Sequence, residues 1–189
     1  MELGWGNETT KLMSHNVGLI TSNGPFGNNI MTCEWIMRTS FNPAIVAVSI
    51  AKPRATYANI MKTKEFGISF AAYDQNIIAS VSGNNSAKIV DKIKILEELG
   101  FKFHKAKKIN VLMVEGAAVK FECKIIKRIP AGDHVIFLAE ILDAESSGKT
   151  PLLYHAGKFY TTGEIIQKPS PEGLEKIREI IMKHRKSSA

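Results

Sequence analysis

Residues 28–50 read NNIMTCEWIMRTSFNPAIVAVSI. Two strand-like runs, 28–36 and 44–50, flank a polar hinge that ends at Pro43. The second run is apolar nearly throughout, the pattern of a strand buried on both faces. The first places Met31, Thr32, Cys33 and Glu34 together between a Gly/Asn turn and Trp35. A half-buried strand alternates polar and apolar residues, and a core strand is apolar. Neither rule calls for small and polar side chains at those four positions.

Outward from this stretch, strand signals dominate the middle of the chain. Residues 16–24 read as a strand closing on a turn, 66–72 as another, and 110–129 with 134–145 as a long hairpin around Pro130-Ala131-Gly132-Asp133. Helical spacing is confined to three places. Residues 56–62 carry Tyr57, Ile60 and Met61, with Thr56 suited to cap them; 86–99 carry Ile89, Ile93 and Leu96 before Gly100. A last amphipathic helix, about 171–186, carries Leu174, Ile177, Ile180 and Ile181. Strands outnumber helices and do not alternate with them. The class expected is therefore mainly β, an antiparallel barrel with added helices, rather than a parallel sheet. The Gly/Asn corners at 23–24 and 27–29 suit a sharply bending barrel.

The chain has 189 residues, 44% hydrophobic and 23% charged, as in one ordinary globular domain. No apolar run approaches a membrane span, and the N-terminus lacks the basic and apolar regions of a secretion signal. A single cytoplasmic domain over 1–189 is expected. Cys33 and Cys123 form no CxxC pair, and His15, His104, His155 and His184 show no metal-ligand spacing. No metal site or disulfide framework follows. The net charge of +7 raises the possibility of nucleic-acid binding. Yet positive charge collects only at 101–108 and in the C-terminal KHRKSSA, which reads as solvated surface lysines and a basic tail.

Three stretches could carry chemistry, each with a plainer alternative. At Lys52-Pro53-Arg54-Ala55-Thr56 a strand runs into a helix. The helix N-terminus, Arg54 and the Thr56 hydroxyl could cradle a phosphate monoester, or form a simple helix cap. Ser82-Gly83-Asn84-Asn85-Ser86 runs into Lys88 and Lys92, either a second phosphate contact or a polar turn. His134 follows Gly132-Asp133 at a hairpin mouth, as a functional imidazole or as an exposed turn residue.

In this order, the stretches resemble the flavin reductase-like family of FMN-binding split-barrel proteins, in its flavoredoxin and ferric-reductase branch. NIMTCEWIMRTSFNPAIVAVSI is similar to that family's first flavin strand, bend and second strand. KPRATYANIMKTKEFGISF resembles its phosphate loop and helix, and SVSGNNSAKIVDKI its Ser/Gly turn before a helix with an Asp-Lys pair. AGDHVIFLAEI resembles its Gly-Asp-His hairpin, and PLLYHAGKFYTTGE its closing segment. The likeness spans about residues 12–165.

The resemblance implies an antiparallel Greek-key split barrel that binds FMN. It implies a homodimer that takes hydride from NADH or NADPH and passes electrons to free flavin, a ferric complex or a redox protein. It assigns no membrane and no nucleic acid as partner. Backbone amides of the first strand would bond the flavin edge, with Met31, Thr32, Cys33 and Glu34 lining the ring. Ser49, Arg54 and Thr56 would hold the ribityl phosphate, with Ser82, Gly83 and Lys88 adding to it. Asn29, Ile50 and Ala51 complete the implied cofactor set, and His134 would face the open side of the flavin as the catalytic residue. The family often has Ala or Ser where this chain has Cys33-Glu34. A carboxylate at Glu34 either lowers the flavin potential from close range or points to solvent, the reading preferred. Two other readings compete: a flavoredoxin-like electron carrier with little NAD(P)H activity and, more remotely, a nucleic-acid-binding barrel.

Overall fold

The protein is described by a computed structural model covering residues 3–4, 6–165 and 167–184. After a short helix α1 (Glu8–Lys11), twelve strands and four further helices follow among these residues. They are β1 (His15–Asn16), β2 (Gly18–Ser22), β3 (Asn29–Cys33), β4 (Ile36–Ser40), β5 (Ile45–Ala51), α2 (Ala55–Thr63), β6 (Glu65–Phe70), α3 (Asn76–Asn84) and α4 (Lys92–Glu98). Then come β7 (Phe103–Lys105), β8 (Leu112–Val114), β9 (Val119–Ala131), β10 (His134–Ser146), β11 (Leu153–His155), β12 (Lys158–Tyr160) and α5 (Pro171–Lys183).

Seven strands form one sheet in the order β3-β2-β6-β9-β10-β5-β4, and every pairing in it is antiparallel. The two edge strands, β3 and β4, are consecutive in the chain and joined by Glu34-Trp35 alone. The sheet therefore curls until its edges meet at that bend, which makes it a barrel with a seam. Ser49 N–H donates to the Trp35 carbonyl at 3.0 Å, and the Cys33 thiol donates to the Ser49 carbonyl at 3.7 Å, so β5 locks the bend. Inside, Ile20, Val48, Ile50, Phe66, Ile68, Cys123 and Phe137 make one apolar core. A second core, with Leu19, Ile30, Ile78, Ala79, Ile93 and Leu96, joins the outer face of β2 and β3 to α3 and α4.

The expected mainly β barrel with added helices is the fold observed, with local corrections. Residues 37–40, expected as part of a hinge, form β4 together with Ile36, which was expected to end the first strand. The helix expected over 86–99 is displaced: α3 occupies 76–84, and α4 begins only at Lys92, capped by the Asp91 carboxylate accepting from Lys94 N–H at 3.1 Å. Ser82-Gly83-Asn84 is thus the end of a helix, not a turn. The first strand of the expected long hairpin breaks at residues 115–118, between β8 and β9. The final helix is present, and its expected last residues, 185–186, lie outside the described residues. Leu174, Ile177, Ile180 and Ile181 are all exposed on it.

Candidate flavin and nicotinamide site

β3 is an edge strand, with β2 on one side alone. Half of its N–H and C=O groups therefore point away from the sheet and can bond a flat ligand laid along the edge. Alternation divides the four side chains expected to line such a ligand. Cys33 packs into the barrel core, where burial pushes its thiol pKa up to about 12, and Met31 leans on the same core. Thr32 points the other way and donates its hydroxyl to the Ala79 carbonyl of α3 at 2.6 Å. Cys33 thus offers a ligand its backbone only, and Thr32 serves to fasten α3. Gly83 belongs to the same joint. A Cβ there would lie 3.3 Å from Thr32 Cβ, so glycine lets the helix close onto the strand. Glu34 is half-buried rather than fully in solvent, and its charge, after burial, helps raise the Tyr154 pKa.

The strand-to-helix junction after β5 departs from expectation in one detail. Arg54, not Thr56, takes the cap position of α2, and its side chain makes no capping bond. The first amides of α2 are left without a side-chain partner, the usual setting for an anion. Thr56 lies in the first turn, buried, and its hydroxyl accepts from Asn29 Nδ2 at 2.8 Å. That leaves the Thr56 hydroxyl proton free to donate. Ile50 turns its side chain into the core and contributes none to this junction, while Ala51 and Ser49 are half-buried on β5.

Lys92, named with Lys88 as a possible phosphate contact but absent from the cofactor set that the resemblance implies, completes the cluster. Lys92 is only 3% exposed, and its ammonium donates to the Ser82 carbonyl at 3.2 Å. Burial, then the Arg54 charge, pulls its pKa down to about 8. A buried lysine with another cation as its electrostatic neighbour is costly unless an anion joins them. Beside it the Ser82 hydroxyl is buried with no hydrogen-bond partner, as is the Asn29 side-chain oxygen. The set comprises two cations, two hydroxyl donors, one amide acceptor and a free helix N-terminus. It fits a phosphate monoester carried on a hydroxyl-bearing chain. Lys88 stands apart from this set, exposed in the turn before α4 with its ammonium 6.0 Å from the Phe26 ring centroid. Asn59, which sequence reasoning missed, holds the Gly/Asn corner in place: it accepts from Phe26 N–H and donates to the Gly27 carbonyl, both at 2.9 Å.

His134 opens β10, opposite Ala51 of β5 in register. Gly132 at φ 59° supplies the left-handed conformation of the turn before it. Lys52 ties that turn to the end of β5, donating from Nζ to the Gly132 carbonyl at 2.8 Å and from its amide to the Asp133 carbonyl at 3.2 Å. The His134 ring lies 4.6 Å, centroid to centroid, from Trp35, which sequence reasoning also passed over. His134, Trp35 and Ser49 thus meet at the bend of the barrel seam. Among the described residues no group of three or more His, Cys, Asp or Glu is placed to hold a metal ion. No helix there is long and apolar enough to cross a membrane.

Comparison with known proteins bears on the fold and the family. The chain is 30% identical over 145 residues to an uncharacterized protein of Archaeoglobus fulgidus, covering 71% of this chain and 80% of that one. It is 27% identical over 144 residues to the NADH-dependent flavin reductase of a Rhodococcus species, covering 76% of this chain and 75% of that one. The crystal structure of a flavoredoxin from Methanosarcina acetivorans superposes with a TM-score of 0.76 at 20% identity, over 93% of this chain and 99% of that one, and so shares the fold. The flavin reductase like domain matches residues 10–163, and the chain belongs to that family.

Proposed function

We propose that the protein binds FMN and reduces it with NADH or NADPH, acting as a flavin oxidoreductase. The observation that supports this most strongly is the buried Lys92 beside Arg54, with the unpartnered Ser82 hydroxyl next to it. Arg54, Lys92 and the first turn of α2 would hold the phosphate. Thr56 and Ser82 would donate to it, and Asn29 Oδ1 would accept from a ribityl hydroxyl. The free backbone edge of β3, at Met31 to Cys33, would receive the polar edge of the ring system, and Glu34 stands at the bend beyond it. When bound, FMN supplies an acceptor for a hydride; the protein supplies position and charge. His134, on the far side of the bend, would orient the nicotinamide. The acceptor of the electrons in turn is a free flavin, a ferric complex or a redox protein.

Titration calorimetry with FMN and riboflavin tests the phosphate assignment. Arg54→Ala should weaken FMN at least roughly tenfold, the effect of losing a charge-assisted contact, and leave riboflavin nearly unchanged. Equal losses for both ligands would show that Arg54 does not read the phosphate.

A homodimer accompanies this reading. β4 is an open sheet edge, and on or beside it Met37 is 64% and Phe41 85% exposed. A second copy laid on that edge would cover both the apolar side chains and the unpaired backbone. Light scattering at micromolar concentration should report about twice the chain mass of 20.9 kDa, and the single-chain mass would contradict it.

A further inference from the structure

The imidazole of His134 is held from two sides. Its Nδ1 lies 2.7 Å from the Asp133 carboxylate, and its face lies against the Trp35 ring at an interplanar angle of 41°. The Asp133 carboxyl is held below its ordinary pKa, chiefly by this bond to His134, so it is ionised at neutral pH and can only accept. Nδ1 must then carry the proton. In a neutral imidazole the other nitrogen, Nε2, is left as a lone-pair acceptor. The backbone of Trp35 is anchored beside it, because its carbonyl accepts from Ser49 N–H at 3.0 Å. The bend, β5 and the β9–β10 turn thus meet at this ring.

We propose that Asp133 and Trp35 are positioning residues that present His134 Nε2 as an acceptor for the carboxamide N–H of the nicotinamide donor. This rests on the functional reading above. It gives the site a preference absent from that reading: donors with an N–H on the ring substituent over isosteres without one. Reduced 3-acetylpyridine adenine dinucleotide is such an isostere, with a methyl ketone in place of the amide. NADH should hold an advantage over it that depends on the Nδ1–H tautomer.

Nitrogen-15 NMR of histidine-labelled protein at pH 8 reads the tautomer without any activity, with the His134 signal assigned through His134→Gln. The parent protein should show His134 protonated at Nδ1, and Asp133→Ala should move it toward the Nε2–H form that a free side chain prefers. In stopped-flow reduction of the FMN complex, the ratio of NADH to analogue rates should fall about fivefold in Asp133→Ala. It should fall similarly in Trp35→Ser and be retained in Trp35→Phe, which keeps an aromatic face. An Nε2–H tautomer in the parent, or an unchanged ratio in Asp133→Ala, would overturn this assignment alone. Failure of NADH to reduce the parent complex at all would sink the functional reading and this assignment with it.

Discussion

Lys92→Met should cut FMN affinity at pH 7 by roughly 10- to 150-fold, the equivalent of about 1.5–3 kcal/mol for one charged hydrogen bond. Riboflavin affinity should not change, and the ligand-free protein should become more stable. The two effects have one cause. Folding lowers the Lys92 pKa from 10.5 to about 8, because burial and Arg54 both disfavour the ammonium. The charged form therefore costs stability. The cost is complete below about pH 8 and disappears as pH rises toward 10.5. Its size is on the order of 3 kcal/mol. Methionine removes it while leaving the Ser82 carbonyl without its lysine donor, so the net gain should be about 1–2 kcal/mol. Thermal melting of the ligand-free variant at pH 7 should show a rise of a few degrees. In the parent, FMN affinity should weaken by up to about tenfold per unit between pH 8 and pH 9, as protonating Lys92 becomes part of binding. The variant should lack that slope. Equal losses of FMN and riboflavin, or a parent affinity flat to pH 9, would remove Lys92 from the phosphate site.

His134→Ala should separate binding from reduction. Neither the Asn29–Thr56 bond nor the Lys92–Ser82 bond involves His134. The variant should therefore keep its FMN and its yellow colour. Losing one oriented hydrogen bond to the donor, about 1–2 kcal/mol, should slow reduction by NADH or NADPH roughly tenfold. Dithionite, which needs no oriented complex, should still reduce it promptly. A variant that sheds its flavin, or is reduced by NAD(P)H at the parent rate, would show that His134 does something else.

The barrel was legible because short strand-like runs and Gly/Asn corners are local signals, and the strands at 45–51 and 65–70 fall where those runs lie. α3 was not. Gly83 and its Ser/Asn neighbours carry the composition of a turn, and only the close approach to Thr32 explains a glycine in that helix. The phosphate junction was legible in outline, as a cation and a hydroxyl where a strand meets a helix. Lys92 was legible only as one of two lysines after a polar turn, and a lysine on a helix usually faces water. Its burial against α3, where it bonds the Ser82 carbonyl, is a tertiary contact that no local pattern encodes. Trp35 likewise takes its meaning from His134, a residue remote in sequence that the β5–β10 register brings beside it. The inward turn of Cys33 could have been read. Strand alternation already sets it on the face opposite Thr32, and the resemblance had grouped the two together.

Rapid mixing of the FMN complex with NADH, and separately with NADPH, tests the central claim most directly when followed by flavin absorbance without oxygen. The account predicts loss of the oxidised flavin spectrum within the mixing trace for at least one donor, saturating with donor concentration. A protein that binds FMN tightly yet keeps it oxidised with both donors, while dithionite bleaches it, would contradict the account and identify an electron carrier instead.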